Sequence, residues 1–147
     1  MRLALEAPEL TSDPLARRYV KQETVRVQFA ASAGELMSRE GINRFERGDA
    51  LVTGSTGDRW SVTRARFDAE YEAVAPCGHG RDGEYAAKPV PVWAKQMTVP
   101  FSIARRAGGD LLLGEAQDWV LQYAPGDFGV VENARFMQVY RLLPGAG

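Results

Sequence analysis

The stretch DALVTGSTGDRWSVTRARFDAEY (49–71) decides the fold, because a second stretch, DWVLQYAPGDFGVVENARFMQVY (118–140), repeats its pattern without a gap. At a constant offset of 69 residues, eight of the 23 aligned positions are identical, whereas chance gives about one or two. Such self-similarity indicates an internal duplication. The identical pairs are Asp49/Asp118, Gly57/Gly126, Asp58/Asp127, Val62/Val131, Ala65/Ala134, Arg66/Arg135, Phe67/Phe136 and Tyr71/Tyr140.

Each copy contains a predicted hairpin. Two short apolar runs flank the turns STGD (55–58) and APGD (124–127), a pattern typical of paired strands. We assign the turn itself to glycine, which adopts positive φ without strain, and to aspartate, which bonds its own backbone. These turn residues are Gly57, Asp58, Gly126 and Asp127.

A first strand precedes each hairpin, and a short helix follows it. ETVRVQFA (23–30) and KPVPVWAK (88–95) both alternate apolar with other residues, which predicts half-buried strands at an offset of 65. The helix after each hairpin begins near Thr63 or Asn133, and YEAV or YRLL closes the copy as a last strand.

The predicted fold class is α+β, mostly antiparallel β. Two tandem copies of a small β-roll or barrel of about 55 residues, each a hairpin with one short helix, pack with pseudo-twofold symmetry. SDPLARRYVKQ (12–22) predicts a short N-terminal helix with Asp13 as N-cap. The predicted organisation is an N-terminal helical segment over 1–18, a first β unit over 19–74, a linker over 75–84, a second β unit over 85–143 and a tail over 144–147.

Composition excludes several functional classes. The 18 basic and 19 acidic residues nearly balance, so nucleic-acid binding lacks its usual driving force. A single cysteine, Cys77, excludes an internal disulfide and a cysteine-rich metal site. No apolar run approaches the roughly 20 residues that span a bilayer. We therefore expect a cytoplasmic protein without cofactor, metal or membrane contact.

The second hairpin, APGDFGVV (124–131), resembles the signature of the bacterial PGDYG-motif proteins, with Phe128 in place of the family's Tyr. The resemblance extends over GDALVTGSTGDRWSVTRARFDAEYE (48–72) and KPVPVWAKQM (88–97). A single copy is also similar to small phage-encoded proteins. The resemblance implies architecture and a connection to phage or mobile elements, and it assigns no catalytic residue.

Few residues suggest catalysis. His79 and Cys77 lie two apart in a Gly-rich stretch that enforces no geometry, so we interpret both as parts of a solvated linker. Asp49 and Asp118 open the second strand of each copy, where strand-end capping explains them. The recurrent Phe and Tyr, four residues apart, are expected to fill the core.

Surface candidates remain. The tryptophans are not equivalent between copies, which suits an interface, and arginine suits planar recognition of carboxylate or phosphate. For Arg66 and Arg135, a structural salt bridge to the hairpin aspartate of the same copy is the favoured role, and capture of a carboxylate or phosphate is the other. The candidate binding residues are Trp60, Trp93, Trp119, Arg105, Arg106, Asp127, Phe128 and Arg135.

Three functions follow as hypotheses. The preferred one is a non-enzymatic binding or protein-interaction protein, for example an inhibitor or defence-associated factor. Its expected partner is a protein or a small ligand, and a homodimer is one form it can take. The second is an enzyme acting on a nucleotide-like molecule through Asp118, Asp127, Arg135 and Tyr140. The third is a nucleic-acid-binding small barrel, which requires a basic stripe with exposed aromatics.

Overall fold

The computed structural model describes residues 1–38 and 41–144, which are mostly in antiparallel β-strands. Two seven-residue helices, α1 (Arg64–Glu70) and α2 (Asn133–Val139), each follow a hairpin as predicted. The strands are β1 (Leu3–Leu5), β2 (Arg17–Lys21), β3 (Thr24–Phe29), β4 (Gly34–Ser38), β5 (Gly41–Phe45), β6 (Ala50–Thr53), β7 (Arg59–Val62), β8 (Tyr71–Ala73), β9 (Gly83–Ala87), β10 (Val92–Gln96), β11 (Phe101–Ala104), β12 (Leu111–Gly114), β13 (Trp119–Ala124), β14 (Asp127–Val131) and β15 (Tyr140–Leu142).

The predicted N-terminal helix is wrong. Leu10–Ser12 forms one 3-10 turn, and Arg17–Lys21 is the strand β2. Asp13 serves the intervening turn, where its Oδ1 accepts the Leu15 N–H at 2.9 Å. Pairing of β2 with β10 overrides the helical signal, because strand pairing supplies tertiary contacts that a local propensity does not encode.

The chain divides into two compact units. The split unit contains Met1–Val20 and the described residues from Pro91 on, and the central unit is Lys21–Val90. These units differ from the predicted boundaries, because β2 joins the sheet that contains β10 and β9 joins the sheet that contains β3. The predicted linker over 75–84 lies within the central unit and includes the start of β9. Of the predicted tail, all but Pro144 lies outside the described residues.

The split unit contains two sheets. Its five-stranded sheet has the order β14-β13-β10-β2-β15, and a three-stranded sheet has the order β1-β11-β12. One apolar cluster, with Leu121 and Phe136, lies between the larger sheet and α2. A second cluster joins the opposite face, through Val120 and Phe128, to Phe101 and other residues of the smaller sheet. The larger sheet is therefore covered on both faces.

The central unit has one five-stranded antiparallel sheet with the order β7-β6-β3-β9-β8. Its cluster of buried apolar residues lies on one face, where Val25, Val52 and Tyr85 pack with Phe67 of α1. The hairpin β4-β5 is a separate two-stranded sheet. Both five-stranded sheets have distinct edge strands among the described residues, so they are open sheets and not the predicted roll or barrel.

The first strands correspond at an offset of 67, and the predicted offset of 65 is wrong. Ala30 donates to the Asp49 carbonyl at 2.9 Å, and Met97 donates to the Asp118 carbonyl at 2.8 Å. Asp49 and Asp118 are 69 apart, whereas Ala30 and Met97 are 67 apart. A slip of two residues keeps the same side chains on the same face, so alternation alone cannot detect it.

Candidate binding surface

Pro125 and Gly126 form the tight turn between β13 and β14. Gly126 has φ of +75°, and Gly57 in the β6-β7 turn has φ of +87°, a region that favours glycine. Asp127 is the first residue of β14 and pairs with Ala124. The Gly-Asp pairs therefore belong to the hairpins, and the two residues of the second turn, Pro125 and Gly126, are exposed.

The last two residues of the motif pack closely. Phe128 is only 3% exposed, and its N–H donates to the Arg105 carbonyl at 2.8 Å. A Cβ at Gly129 would lie 2.5 Å from the Tyr123 hydroxyl oxygen, so glycine is needed beneath this ring. The candidate Phe128 is thus a core residue and offers no surface for a ligand.

The recurrent aspartates Asp49 and Asp118 connect a loop to a helix. Asp49 Oδ2 accepts the Glu46 N–H at 2.9 Å, and its Oδ1 accepts the Arg64 N–H at 3.3 Å. Asp118 repeats this pattern with Glu115 and with the first residue of α2, at 2.9 and 3.1 Å. Both carboxylates are engaged by backbone amides at the start of a helix, which is a stabilising role.

The three tryptophans lie in different environments. Trp119 is buried, stacks on Phe136 with 3.8 Å between ring centroids, and donates to Asn133 Oδ1 at 2.9 Å. Trp93 is half-buried beside the core of the split unit, and Trp60 is half-buried beside that of the central unit. The structure does not place the tryptophans together on one exposed surface.

The candidate arginines also differ in how deeply they are buried. Arg135 is buried, Arg105 is half-buried and Arg106 is exposed. Arg66 Nε lies 3.8 Å from Glu70 Oε2 on the same helix. The Arg105–Arg106 pair therefore presents one exposed guanidinium and does not form a two-arginine surface.

The predicted linker is an ordered loop folded around a tyrosine hydroxyl. Tyr85 accepts the Gly80 N–H at 2.9 Å and donates to the Arg81 carbonyl at 2.7 Å. The Cys77 sulfur lies 3.5 Å from the same Arg81 carbonyl. His79 Nε2 lies 2.7 Å from Asp68 Oδ1 on α1. The loop is attached to the unit, and its cysteine contacts backbone oxygens.

Two pKa shifts accompany this loop. The hydrogen bond from His79, together with the Arg64 guanidinium, lowers the pKa of Asp68 below its usual value. Burial raises the pKa of Tyr85, and the neighbouring Cys77 adds to that rise. Both shifts follow from the packing of the loop, with Asp68 held as a carboxylate and Tyr85 as a neutral phenol.

The two five-stranded sheets differ in the face turned away from the short helix, which is apolar and covered in the split unit and polar in the central unit. In the split unit, Phe128 and Val130 of β14 and the half-buried Trp93 of β10 belong to or pack against an apolar cluster. The equivalent positions in the central unit are Arg59, Ser61 and Arg26, at offsets of 69, 69 and 67. We call this region of the central unit the open face. It comprises Arg26, Gln28, Leu51, Thr53, Arg59 and Glu84, all of them exposed or half-buried.

One row of cross-strand neighbours forms the middle of the open face. Arg59 pairs with Thr53, Thr53 with Arg26, and Arg26 with Glu84. Arg26 and Glu84 approach to 4.0 Å, and both side chains are more than half exposed. At about 4.8 Å per strand, the two arginines start about 10 Å apart. This distance lets them contact one anionic group or two neighbouring carboxylates.

The hairpin β4-β5 covers only one end of this face. Asn43 is 2% exposed, and its Oδ1 accepts the Ser61 N–H at 3.4 Å. At the other side an open groove of about 350 Å³ borders the face. Arg26 and Glu84 line it together with the ordered loop, including Pro76 and Arg81. The face thus continues into a shallow polar concavity.

Alternation alone places the first strands two residues out of register, so Arg26 does not stand out in the sequence, and Glu84 falls within the predicted linker. At the offset of 67, Arg26 aligns with Trp93, a charged residue with an aromatic one. Arg59 aligns with Phe128 in the gapless alignment. These two differences between the aligned segments are what the sequence offered as evidence for a polar sheet face.

Other features of the described part of the chain add no site. Neither helix there is long and apolar enough to cross a membrane. Among the same residues, no three His, Cys, Asp or Glu side chains are grouped closely enough to hold a metal ion.

The comparison with known proteins supports the resemblance of the hairpin motif. The family model described as PGDYG protein matches residues 41–141, more than half of the chain. No curated protein and no solved structure matches the chain. The match includes the β13-β14 turn, where Phe128 replaces the tyrosine of the motif. The chain belongs to the PGDYG protein family.

Proposed function

We propose that the protein is a non-enzymatic binding protein and that the open face of the central unit contacts a protein partner carrying carboxylates. The main support for this proposal is the contrast between Arg59 and Phe128. The same sheet position is exposed and cationic in one unit and buried and aromatic in the other. A polar face on an antiparallel sheet needs no partner to be stable. Recognition is favoured because two arginines, Arg26 and Arg59, lie in the same row of cross-strand neighbours.

Arginine chemistry supports this partner class. A guanidinium presents a planar fork of donors that matches a carboxylate in two parallel hydrogen bonds. Arg26 and Arg59 lie on either side of Thr53, whose hydroxyl adds a small donor between them. An exposed sheet face suits contact with a protein surface, and the bordering groove accepts a protruding side chain.

Nucleic acid is a weaker candidate for the same face. Glu84 opposes Arg26, which reduces the positive potential that phosphate backbones require. The nearby aromatic residue, Trp60, packs with the core cluster on the other side of the sheet. The open face therefore lacks the stacking platform typical of single-strand binding.

The environments of the residues named for catalysis support a binding role over an enzymatic one. Both oxygens of Asp118 accept backbone amides, Arg135 is buried, and Tyr140 stacks on Phe136 at 4.7 Å. These side chains stabilise the split unit. A function tied to phage or mobile elements and a cytoplasmic location stay predictions of the sequence.

We also propose that the two units arose by internal duplication. Both sheets have the same order of corresponding strands, and both aspartate bridges repeat. Gly48 and Gln117, which are 69 apart, both have positive φ, +90° and +79°. Duplication explains how one copy could keep its sheet face covered while the other diverged toward recognition.

Capture of a partner tests the binding proposal. Immobilised wild-type protein and the variant Arg26→Ala/Arg59→Ala are compared for proteins retained from a bacterial lysate. Arg47→Ala, an exposed arginine in the turn before β6, is the matched control. We expect the control to retain the same protein as the wild type. The double variant should retain at least tenfold less of that protein.

Amide hydrogen exchange on the captured complex then locates the contact. Protection is expected in β3, β6 and β7 of the central unit. Equal capture by the double variant, or protection confined to the split unit, would overturn the proposal. Failure of every bait to retain a protein at micromolar concentration also counts against it.

A further inference from the structure

One strand of each large sheet comes from an unexpected part of the chain. In the split unit, β2 pairs with β10 through Tyr19 and Val92. In the central unit, β9 pairs with β3 through Tyr85 and Val25. Yet β2 directly precedes β3 in the sequence, and β9 directly precedes β10. Each sheet is therefore completed by the strand that leads into the central strand of the other sheet.

The two strands fill equivalent slots. Tyr19 and Tyr85 are each the third residue of their strand. Tyr19 meets Phe136 edge-on with 4.9 Å between ring centroids, and Tyr85 meets Phe67 edge-on at 4.7 Å. Phe67 and Phe136 are themselves a recurrent pair. The slot accepts a strand with a central tyrosine, whichever copy supplies it.

The connections that precede β3 and β10 disfavour a strand folding back onto its own copy. Between β9 and β10, Pro89 and Pro91 fix their own φ and restrict the residue before each of them. Between β2 and β3, the buried Glu23 accepts hydrogen bonds from the backbone and hydroxyl of Ser55 at 2.8 and 2.9 Å. The prolines thus disfavour a tight reversal before β10, and the Glu23 carboxylate attaches the start of β3 to the β6-β7 turn of its own sheet.

We propose that the repeat is a strand-exchanging unit whose natural partner is a second copy of itself, and that this chain is such an exchanged pair fused into one polypeptide. Reciprocal exchange of an identical element is a known route to dimers. The proposal rests on the duplication proposed above and is independent of the open face. The loop over 75–82 is then the joint of the fusion, and it became ordered around Tyr85.

Paired cysteines distinguish exchange from self-pairing. Arg26 and Glu84 are opposite residues of β3 and β9. The Ala87 N–H bonds the Glu23 carbonyl at 2.9 Å, so alternation makes 26/84 a non-hydrogen-bonded pair, with close Cα atoms suited to a disulfide. In a self-paired copy, Arg18, the equivalent of Glu84, would occupy this place. Both variants are made in full-length Cys77→Ser protein.

We expect Arg26→Cys/Glu84→Cys to form an intrachain disulfide in at least nine-tenths of the monomer, and Arg18→Cys/Arg26→Cys to form almost none. Peptide mapping under non-reducing conditions measures both. The reverse pattern would overturn the proposal. Because both variants share Arg26→Cys, a general effect of that substitution cannot produce the difference.

Cleavage of the joint gives a second test that needs no cysteine pair. A protease site is inserted between Gly78 and His79, in the exposed part of the loop. After cleavage, the fragment up to Gly78 carries β1 and β2, which pair with β11 and β10, and the other fragment carries β9, which pairs with β3. We expect both fragments to elute together at the mass of the intact chain and to unfold in one transition. Separation into two folded fragments in dilute buffer would contradict the exchange.

Discussion

Arg59 and Phe128 occupy the same position in their hairpins, two residues after the turn glycine, yet Arg59 is exposed and Phe128 is buried, with 3% of its surface accessible. Arg59 pairs with Thr53 across its hairpin, and Phe128 pairs with Gln122 across the other. In the split unit the 3-10 turn lies over this face, where Leu10 donates its N–H to Gln122 Oε1 at 2.8 Å. Coverage of the face decides which side chain the position accepts.

Reciprocal substitutions at this pair should therefore have unequal effects. Phe128→Arg places a charge in an apolar cluster and should lower the free energy of unfolding by about 3–5 kcal/mol. Arg59→Phe should change it by about 0.5 kcal/mol or less, because the side chain stays in water. Urea unfolding followed by circular dichroism measures both. Equal effects would mean that the faces do not differ in coverage.

The aspartate bridges predict a loss of stability at both recurrent positions. Asp118→Ala leaves the Glu115 and Asn133 amides without their acceptor and should cost about 1–2 kcal/mol, and Asp49→Ala should cost a similar amount. Asp118→Asn keeps one acceptor oxygen and should recover roughly half of the loss. Thermal unfolding checks the series. A variant of full stability that had lost partner binding would instead assign the carboxylate to a ligand.

The local elements were predictable from the sequence, because their signals are local. The turns with Gly57 and Gly126, the strands on either side of them and the two short helices depend on neighbours within a few residues. The recurrence of Phe67 and Phe136 with their tyrosines also indicated a core. All of these features depend on alternation, turn chemistry and helix start signals.

The partner of each strand was not predictable in the same way. Alternation in β2 or β9 specifies which face is buried, and it contains no information about which strand lies alongside. The same limit hid the open face, because the correct register of the first strand emerged only from the hydrogen bonds of Ala30 and Met97. A residue such as Arg26 becomes notable only when its counterpart, Trp93, is known.

The glycine that ends the motif predicts a steric effect. Gly129→Ala brings a methyl group within 2.5 Å of the Tyr123 hydroxyl oxygen and should destabilise the split unit by about 1–3 kcal/mol. Combining it with Tyr123→Leu should recover part of the loss, because the ring is removed. Urea unfolding of the single and double variants checks this. A loss that the second substitution leaves unchanged would attribute the glycine to backbone conformation.

An ion pair in the split unit predicts a dependence of stability on pH. The hydrogen bond from Lys95 Nζ, 2.8 Å from Asp13 Oδ2, lowers the pKa of Asp13 below its usual 3.8, and the Leu15 N–H adds to this. Because the pKa is lower in the folded state, the stabilisation is present at pH values well above the unfolded pKa of 3.8 and is lost as the pH falls through the folded value. Wild type and Asp13→Asn should therefore differ in unfolding free energy at pH 6 and converge near pH 2. A constant difference over this range would contradict the charge-based origin.

The hydroxyl of Tyr85 orders the loop over 75–82. Tyr85→Phe removes the acceptor of the Gly80 N–H and the donor to the Arg81 carbonyl, while the ring keeps its contact with Phe67. The loop should open more often, and the Gly80 amide should exchange its hydrogen roughly tenfold faster, as expected for a loss of about 1.4 kcal/mol. Tyr19→Phe, at the equivalent place in the split unit, is the control and should leave Gly80 unchanged. Unaltered exchange at Gly80 in Tyr85→Phe would show that the loop is held by other contacts, such as His79 with Asp68.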